Sequence, residues 1–253
     1  MKPLIIAAAQ STAIAGDLAG NIARHQHFMR HAAEQGVQLL VFPELSLTGY
    51  ERELAGELAV SPHDSVLQPL RDVARETGVT AVVGMPIRLS VDTPVLIGAL
   101  VLAADGSLAV YSKQHLHPGE EVAFAPGNGG DPLTIGSDTI ALAVCADFSH
   151  ASHAAAAAIS GASIYAAGVL ITPNGYTPDT ALLQGYAVEH GMVVLMANHG
   201  GTTGGWASAG GSAIWAPDGS LIAQTAGTGD FIVIARRNAH GWSGQTLGVE
   251  VPQ

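Results

Sequence analysis

Cysteine occurs once in this chain of 253 residues, at position 145, so no internal disulfide can form. Asn-X-Ser/Thr acceptors are also missing, nothing marks an oxidising or secretory route, and a cytoplasmic location is the expectation. Positive charge is scarce. Ten Lys plus Arg stand against 21 Asp plus Glu, and the net charge of -11 repels phosphate backbones and anionic membrane surfaces. Neither nucleic acid nor membrane is therefore an expected partner. Long apolar runs are absent too: none approaches the ~20 residues that cross a bilayer. The run Leu4–Ala9 is too short for a secretory signal core, stops at Gln10, and reads as a first strand. Lysine is the scarcest charge of all, present only as Lys2 and Lys113. In a chain that otherwise uses arginine, Lys113 stands out as a place where a compact ammonium is required.

What is present is an alternation of buried strands and amphipathic helices long enough to bury a large core, expected as one domain over residues 1–253. After the first strand, Asp17 is placed to cap a helix carrying Leu18, Ile22, Met29 and Ala33 on one face, ended by Gly36. Strand Val37–Phe42 runs into Pro43-Glu44. A second helix is expected to start at Ser61-Pro62 and bury Val66, Leu70, Val73 and Thr77 before Gly78. Strand Val79–Gly84 follows, then a hairpin of Val95–Ala103 and Leu108–Tyr111 that leads to Lys113. Residues 113–132 form a loop rich in Gly and Pro, longer than an idle connector needs.

The second half repeats the scheme: strand Ile140–Val144, helix Ala151–Ser160, apolar run Ala166–Ile171, a helix around Pro178–His190, and strand Met192–Ala197. Gly200–Gly205 lacks the Lys-Ser/Thr of a P-loop and reads as a plain loop. Gly211–Trp215, Leu221–Gln224 and Phe231–Ala235 read as a meander, with Gly241–Gln253 a short tail. Two βαβ-containing halves folded face to face are the expected architecture.

Glu44, Lys113 and Cys145 each lie at or just past the end of an expected strand, where α/β sheets place their ligands. Singly they read as a surface carboxylate, a loop charge and a small buried hydrophobe. Together they make a covalent acyl-transfer set. A thiol beside an ammonium is expected to have a lowered pKa, and a carboxylate can carry its proton to a leaving group.

Phe42-Pro43-Glu44-Leu45, Lys113-Gln114-His115-Leu116 and Cys145-Ala146-Asp147 resemble, in order, the three catalytic signatures of the nitrilase (carbon-nitrogen hydrolase) superfamily. Thr48-Gly49-Tyr50, Phe124-Ala125-Pro126-Gly127, Gly211–Ile214 and Pro217-Asp218-Gly219 add to the likeness, which spans nearly the whole chain. The resemblance implies a four-layer αββα sandwich with mixed sheets, working without a cofactor or metal, and assembled as a homodimer or larger homo-oligomer. It implies Cys145 as nucleophile, Glu44 as general base and then acid, and Lys113 with the backbone N–H of Ala146 as the oxyanion site. Glu120, four residues before Phe124, is implied as a fourth member, with Glu121 as its neighbour. Tyr50, His117, Phe148 and Asn174 are the expected substrate-binding residues.

Ala146-Asp147 resembles the amidase side of the superfamily more than the Trp-Glu of true nitrilases. A small linear amide or N-carbamoyl compound, with water as co-substrate, is thus expected in preference to a nitrile. Phe148-Ser149-His150 departs from the Arg-Phe-Pro-Glu common in amidases, and an arginine often found near Tyr186 is missing, both pointing to an altered pocket. Two rival readings remain: a metal-dependent hydrolase built on Cys145, Asp147, His150 and His153, aided by His115 and His117, and a small-molecule-binding protein without catalysis. His27 and His31 belong to a solvated helix face.

Overall fold

The computed structural model of the chain describes residues 3–251. In order, it contains β1 (Leu4–Gln10), α1 (Leu18–Glu34), β2 (Leu39–Val41), α2 (Ala55–Leu58), α3 (Gln68–Thr77), β3 (Thr80–Ile87), β4 (Leu96–Leu102) and β5 (Leu108–Ser112). The second half contains β6 (Leu133–Ile135), β7 (Asp138–Val144), α4 (Ala151–Ile159), β8 (Ile164–Val169), α5 (Pro173–His190), β9 (Val193–Asn198), β10 (Ala213–Trp215), β11 (Leu221–Gln224), β12 (Phe231–Asn238) and β13 (Gly241–Gly248).

Strand side chains alternate between faces, and here both faces are apolar, which dictates layers. In β1, Leu4, Ile6 and Ala8 join a core shared with Leu142 and Val144 of β7 and Leu195 of β9. Ala7 and Ala9 of the same strand turn the other way, onto Phe28 and Met29 of α1 and Leu70 of α3. Likewise Ala141 and Ala143 of β7 pack with Ala154 of α4 and Leu183 of α5. Three parallel cores define a four-layer αββα sandwich. One sheet runs β13-β12-β1-β2-β3-β4-β5 and the other β11-β10-β9-β8-β7-β6. Both are mixed: β1-β2-β3 and β7-β8-β9 are parallel and their flanks antiparallel.

Asp17 caps α1 as expected, its side chain accepting from the Gly20 N–H, and Gly36 ends the turn at φ +71°. The apolar face is rotated from the expected one: Phe28 and Ala32 are buried, whereas Leu18 and Ala33 are partly exposed. His27 and His31 are half-buried rather than fully solvated. The second helix does not start at Ser61-Pro62. A single 3-10 turn at Ser65–Leu67, capped by Asp64, precedes α3, and Pro69 is the proline of its first turn. Leu67, Leu70, Val73 and Ala74 are buried there, while Val66 and Thr77 stay partly exposed. The expected terminal meander divides: β10 and β11 extend one sheet, then the chain crosses over so that β12 pairs antiparallel with β1. Gly241–Gly248, read as tail, is the edge strand β13, in register with β12 over its whole length. Among the described residues, no helix is long and apolar enough to cross a membrane.

Candidate active site

The turn after β2 carries Glu44 across the top of both sheets, and two glycines make room for it. A Cβ on Gly84 of β3 would lie 2.4 Å from the Leu45 nitrogen, and one on Gly168 of β8 2.6 Å from the Phe42 carbonyl oxygen. Leu45 is left-handed (φ +51°). Two buried histidines hold this turn from opposite sides. His199, just past β9, donates from Nε2 to the Glu44 carbonyl at 2.7 Å. His25 of α1 donates from Nδ1 to the Asn21 carbonyl, so its Nε2 accepts from Ser46 Oγ at 2.9 Å. Burial lowers both pKa values, to about 3 for His25 and about 4 for His199, so both rings are neutral.

Lys113 follows directly on β5 and is 1% exposed, a depth that an ammonium tolerates only when paired. Its Nζ lies 2.6 Å from Glu44 Oε1 and 2.7 and 2.8 Å from the two oxygens of Glu120. Glu120 opens a 3-10 turn, is fully buried, and also accepts from Tyr50 Oη at 2.5 Å and from the His117 N–H at 2.7 Å. Burial works against the Lys113 charge, but the carboxylates of Glu44 and Glu120 outweigh it and raise its pKa. For Glu44 the balance goes the other way: burial raises its pKa to about 7, against the pull of Lys113. Glu44 Oε2 is buried and has no hydrogen-bond partner.

Cys145 directly follows β7, opening a 3-10 turn in the left-handed region (φ +42°). Among the described residues, it and Leu45 are the non-glycine residues with positive φ, and both flank the reaction centre. The thiol is half-buried and contacts the Leu170 carbonyl at 3.8 Å. Its pKa is raised, contrary to the lowering expected from Lys113: burial and the Glu44 charge outweigh the ammonium, whose field Glu44 and Glu120 already neutralise. At rest Cys145 carries a thiol, not a thiolate.

Asp147 ties this turn to the Lys113 segment. Its Oδ2 accepts from the Val144 N–H at 3.0 Å and Tyr111 Oη at 2.7 Å, and its Oδ1 from the N–H groups of Gln114 and His115 at 3.0 and 2.9 Å. Because Tyr111 donates to Asp147, it accepts from His153 Nε2 at 2.8 Å, leaving Nδ1 to accept from Tyr165 Oη at 2.9 Å. The metal set of the rival reading therefore does not converge. Asp147 and His153 spend their ligating atoms on these partners, and His150 stacks on His115 at 3.8 Å between ring centroids. Among the described residues, no group of three His, Cys, Asp or Glu side chains is placed to hold a metal ion.

Cys145 and the buried Glu44 both line an open cavity of about 360 Å³. Tyr50, His117, Ala146 and Phe148 line it; Asn174 does not, being exposed on the first turn of α5, where Gly175 and Asp179 face the cavity instead. Arg52, Asp179 and Trp206 are lining residues that the sequence reading missed. Trp206 is presented by the Gly200–Gly205 loop, whose Thr203 Oγ1 accepts from the Tyr50 N–H at 2.8 Å. His25 and His199 were missed as well.

The αββα sandwich of two mixed sheets brings a thiol, a carboxylate and an ammonium to one cavity, the arrangement of a carbon-nitrogen hydrolase fold. The carbon-nitrogen hydrolase family model matches residues 5–243, and the chain belongs to that family. It is 30% identical over 222 residues to a nitrilase of Pyrococcus abyssi, covering 85% of this chain and 82% of that one. It is 29% identical to an (R)-stereoselective amidase of a Pseudomonas species, covering 82% and 75%. The amidase of Nesterenkonia sp. AN1 in complex with butyramide superposes with a TM-score of 0.84 at 29% identity, over 92% of this chain and 90% of that one. Another structure of that enzyme shows acrylamide added at the active-site cysteine.

Proposed function

We propose that this protein hydrolyses the carbon-nitrogen bond of a small linear amide or N-carbamoyl compound through a thioester on Cys145. The observation that carries the proposal is the buried Glu44–Lys113–Glu120 cluster, with Glu44 Oε2 buried and unpartnered behind the cavity that Cys145 also lines. Glu44 Oε2 takes the thiol proton as Sγ bonds to the carbonyl carbon. A carboxyl group poised near neutrality serves in both directions, as base and then as acid. The oxyanion faces Lys113 Nζ and the Ala146 N–H. Nζ has three N–H bonds and three acceptors, but the two Glu120 oxygens can share one, which frees a donor for the developing charge.

Collapse of this intermediate breaks the carbon-nitrogen bond, and the Glu44 carboxyl protonates the departing amine or ammonia. Water then attacks the thioester while Glu44 takes its proton. The carbon-sulfur bond breaks, the acid leaves, and the thiol regains its proton. The likeness to amidases supports amides over nitriles. Ammonia release from a panel of small amides, N-carbamoyl compounds and nitriles tests the proposal. Turnover of amides or carbamoyl compounds that falls to background in Cys145→Ala is expected; turnover of nitriles alone, or activity surviving that substitution, would refute it.

A further inference from the structure

The charged groups facing the active-site cavity mostly make contacts within the chain, although only Glu44 is paired with an opposite charge. Glu44 is paired with Lys113. Arg52 donates to the Gly119 carbonyl at 3.0 Å and lies 5.8 Å from the centre of the Tyr50 ring, bracing the wall that holds Glu120. His117 Nδ1 is 3.0 Å from the Pro118 carbonyl oxygen. Asp179 of α5 is the exception: it lines the cavity and makes no hydrogen bond or ion pair among the described residues. It sits on the seventh residue of an 18-residue helix, past the first turn, so the helix N-terminus does not satisfy it.

Asp179 is half-buried, so its carboxylate keeps part of its hydration and stays available on the cavity wall to a ligand of opposite charge. Building on the amide-hydrolysis reading above, we infer that Asp179 binds a positively charged group of the substrate, an ammonium or amidinium at the end remote from the scissile amide. Three observations bear on this. Burial alone shifts the Asp179 carboxyl, upwards, with no cation opposing it; a bound cation would supply that counter-charge. Trp206, 46% exposed, offers an aromatic face on the same cavity, to which an ammonium is also attracted. The whole molecule carries a net charge of -11, a field that draws cations and repels carboxylate-bearing amides.

Calorimetric binding to the Cys145→Ala protein, which cannot form the thioester, separates recognition from chemistry. ω-Amino amides of four and five carbons are compared with pentanamide and hexanamide, which replace the ammonium by a methyl group, and with glutaramate as the anionic control. The ω-amino amides are expected to bind about tenfold more tightly than their neutral counterparts. That preference should shrink to about twofold or less when Asp179→Asn is added; the change is isosteric and breaks no contact within the chain. Equal binding of charged and neutral amides, no measurable binding of the ω-amino amides, tighter binding of glutaramate, or a preference that survives Asp179→Asn would overturn the inference. Turnover of hexanamide by the unmodified enzyme reports separately on amide hydrolysis, so the two readings can fail independently.

Discussion

In the proposed mechanism Glu44 and Lys113 set the chemistry at the scale of single residues, and each shifts the charge of the other. With its pKa near 7, Glu44 can accept the thiol proton only above that point. The kcat/KM for an amide is therefore expected to rise with pH through about 7 and then level, and a profile flat from about pH 5 to 9 would contradict this. Glu44→Gln should lower kcat by roughly 10²–10⁴-fold, since the amide cannot move a proton. Lys113→Met strands two buried carboxylates and is expected to cost about 3–5 kcal/mol in urea unfolding, part of it recovered when Glu120→Gln is added. The solitary internal lysine, the lone cysteine and Glu44 were legible in the sequence because their chemistry and their places at strand ends agree. The thiol pKa was not. The direction of its shift depends first on burial and then on how far Glu44 and Glu120 cancel Lys113, which only the packed geometry shows.

At the scale of elements, the site is positioned by close approaches that a linear reading cannot see. Gly84 and Gly168 look like ordinary interruptions of apolar strands. In the fold they are the two places where the Glu44 turn touches a strand backbone from opposite sheets. Gly168→Ala is expected to destabilise by on the order of 1–3 kcal/mol and to lower kcat by displacing Glu44, as measured by thermal melting beside steady-state rates. Strands β1, β7 and β9 were readable from apolar runs, because both faces of each are buried. By contrast, β13 was read as a tail because an edge strand of Gly, Ser, Gln and Thr is half-exposed and shows no alternation; its pairing with β12 defines it. The start of α3 was displaced for a similar reason. Ser61-Pro62 has the form of a helix start, but Pro62 is buried and its carbonyl is taken by Arg71.

Across the whole molecule, elements of three of the four layers converge on one end of the sandwich: α1 through His25, β5 of one sheet through Lys113, and β7 and β9 of the other through Cys145 and His199. The two histidines give the assembly a pH signature. Each has a folded pKa below its ordinary 6.5, so the unfolded chain takes up protons first. Their contribution to stability is full above about 6.5 and is lost as pH falls toward 3–4. Glu44 acts in the opposite sense between its ordinary 4.5 and about 7, favouring the folded state on acidification. Comparison with His25→Asn isolates the first effect: the urea midpoint of the unmodified protein should fall more between about pH 6.5 and 4 than that of the variant. Parallel curves would show that His25 does not titrate on unfolding.

The central claim is that Cys145 carries the acyl group. Intact-mass spectrometry after rapid acid quench during amide turnover tests it most directly. A mass increase equal to the acyl group, mapped to Cys145 and absent from Cys145→Ala, is the predicted result. Full turnover with no adduct under conditions that make deacylation limiting, or an adduct on another residue, would contradict it.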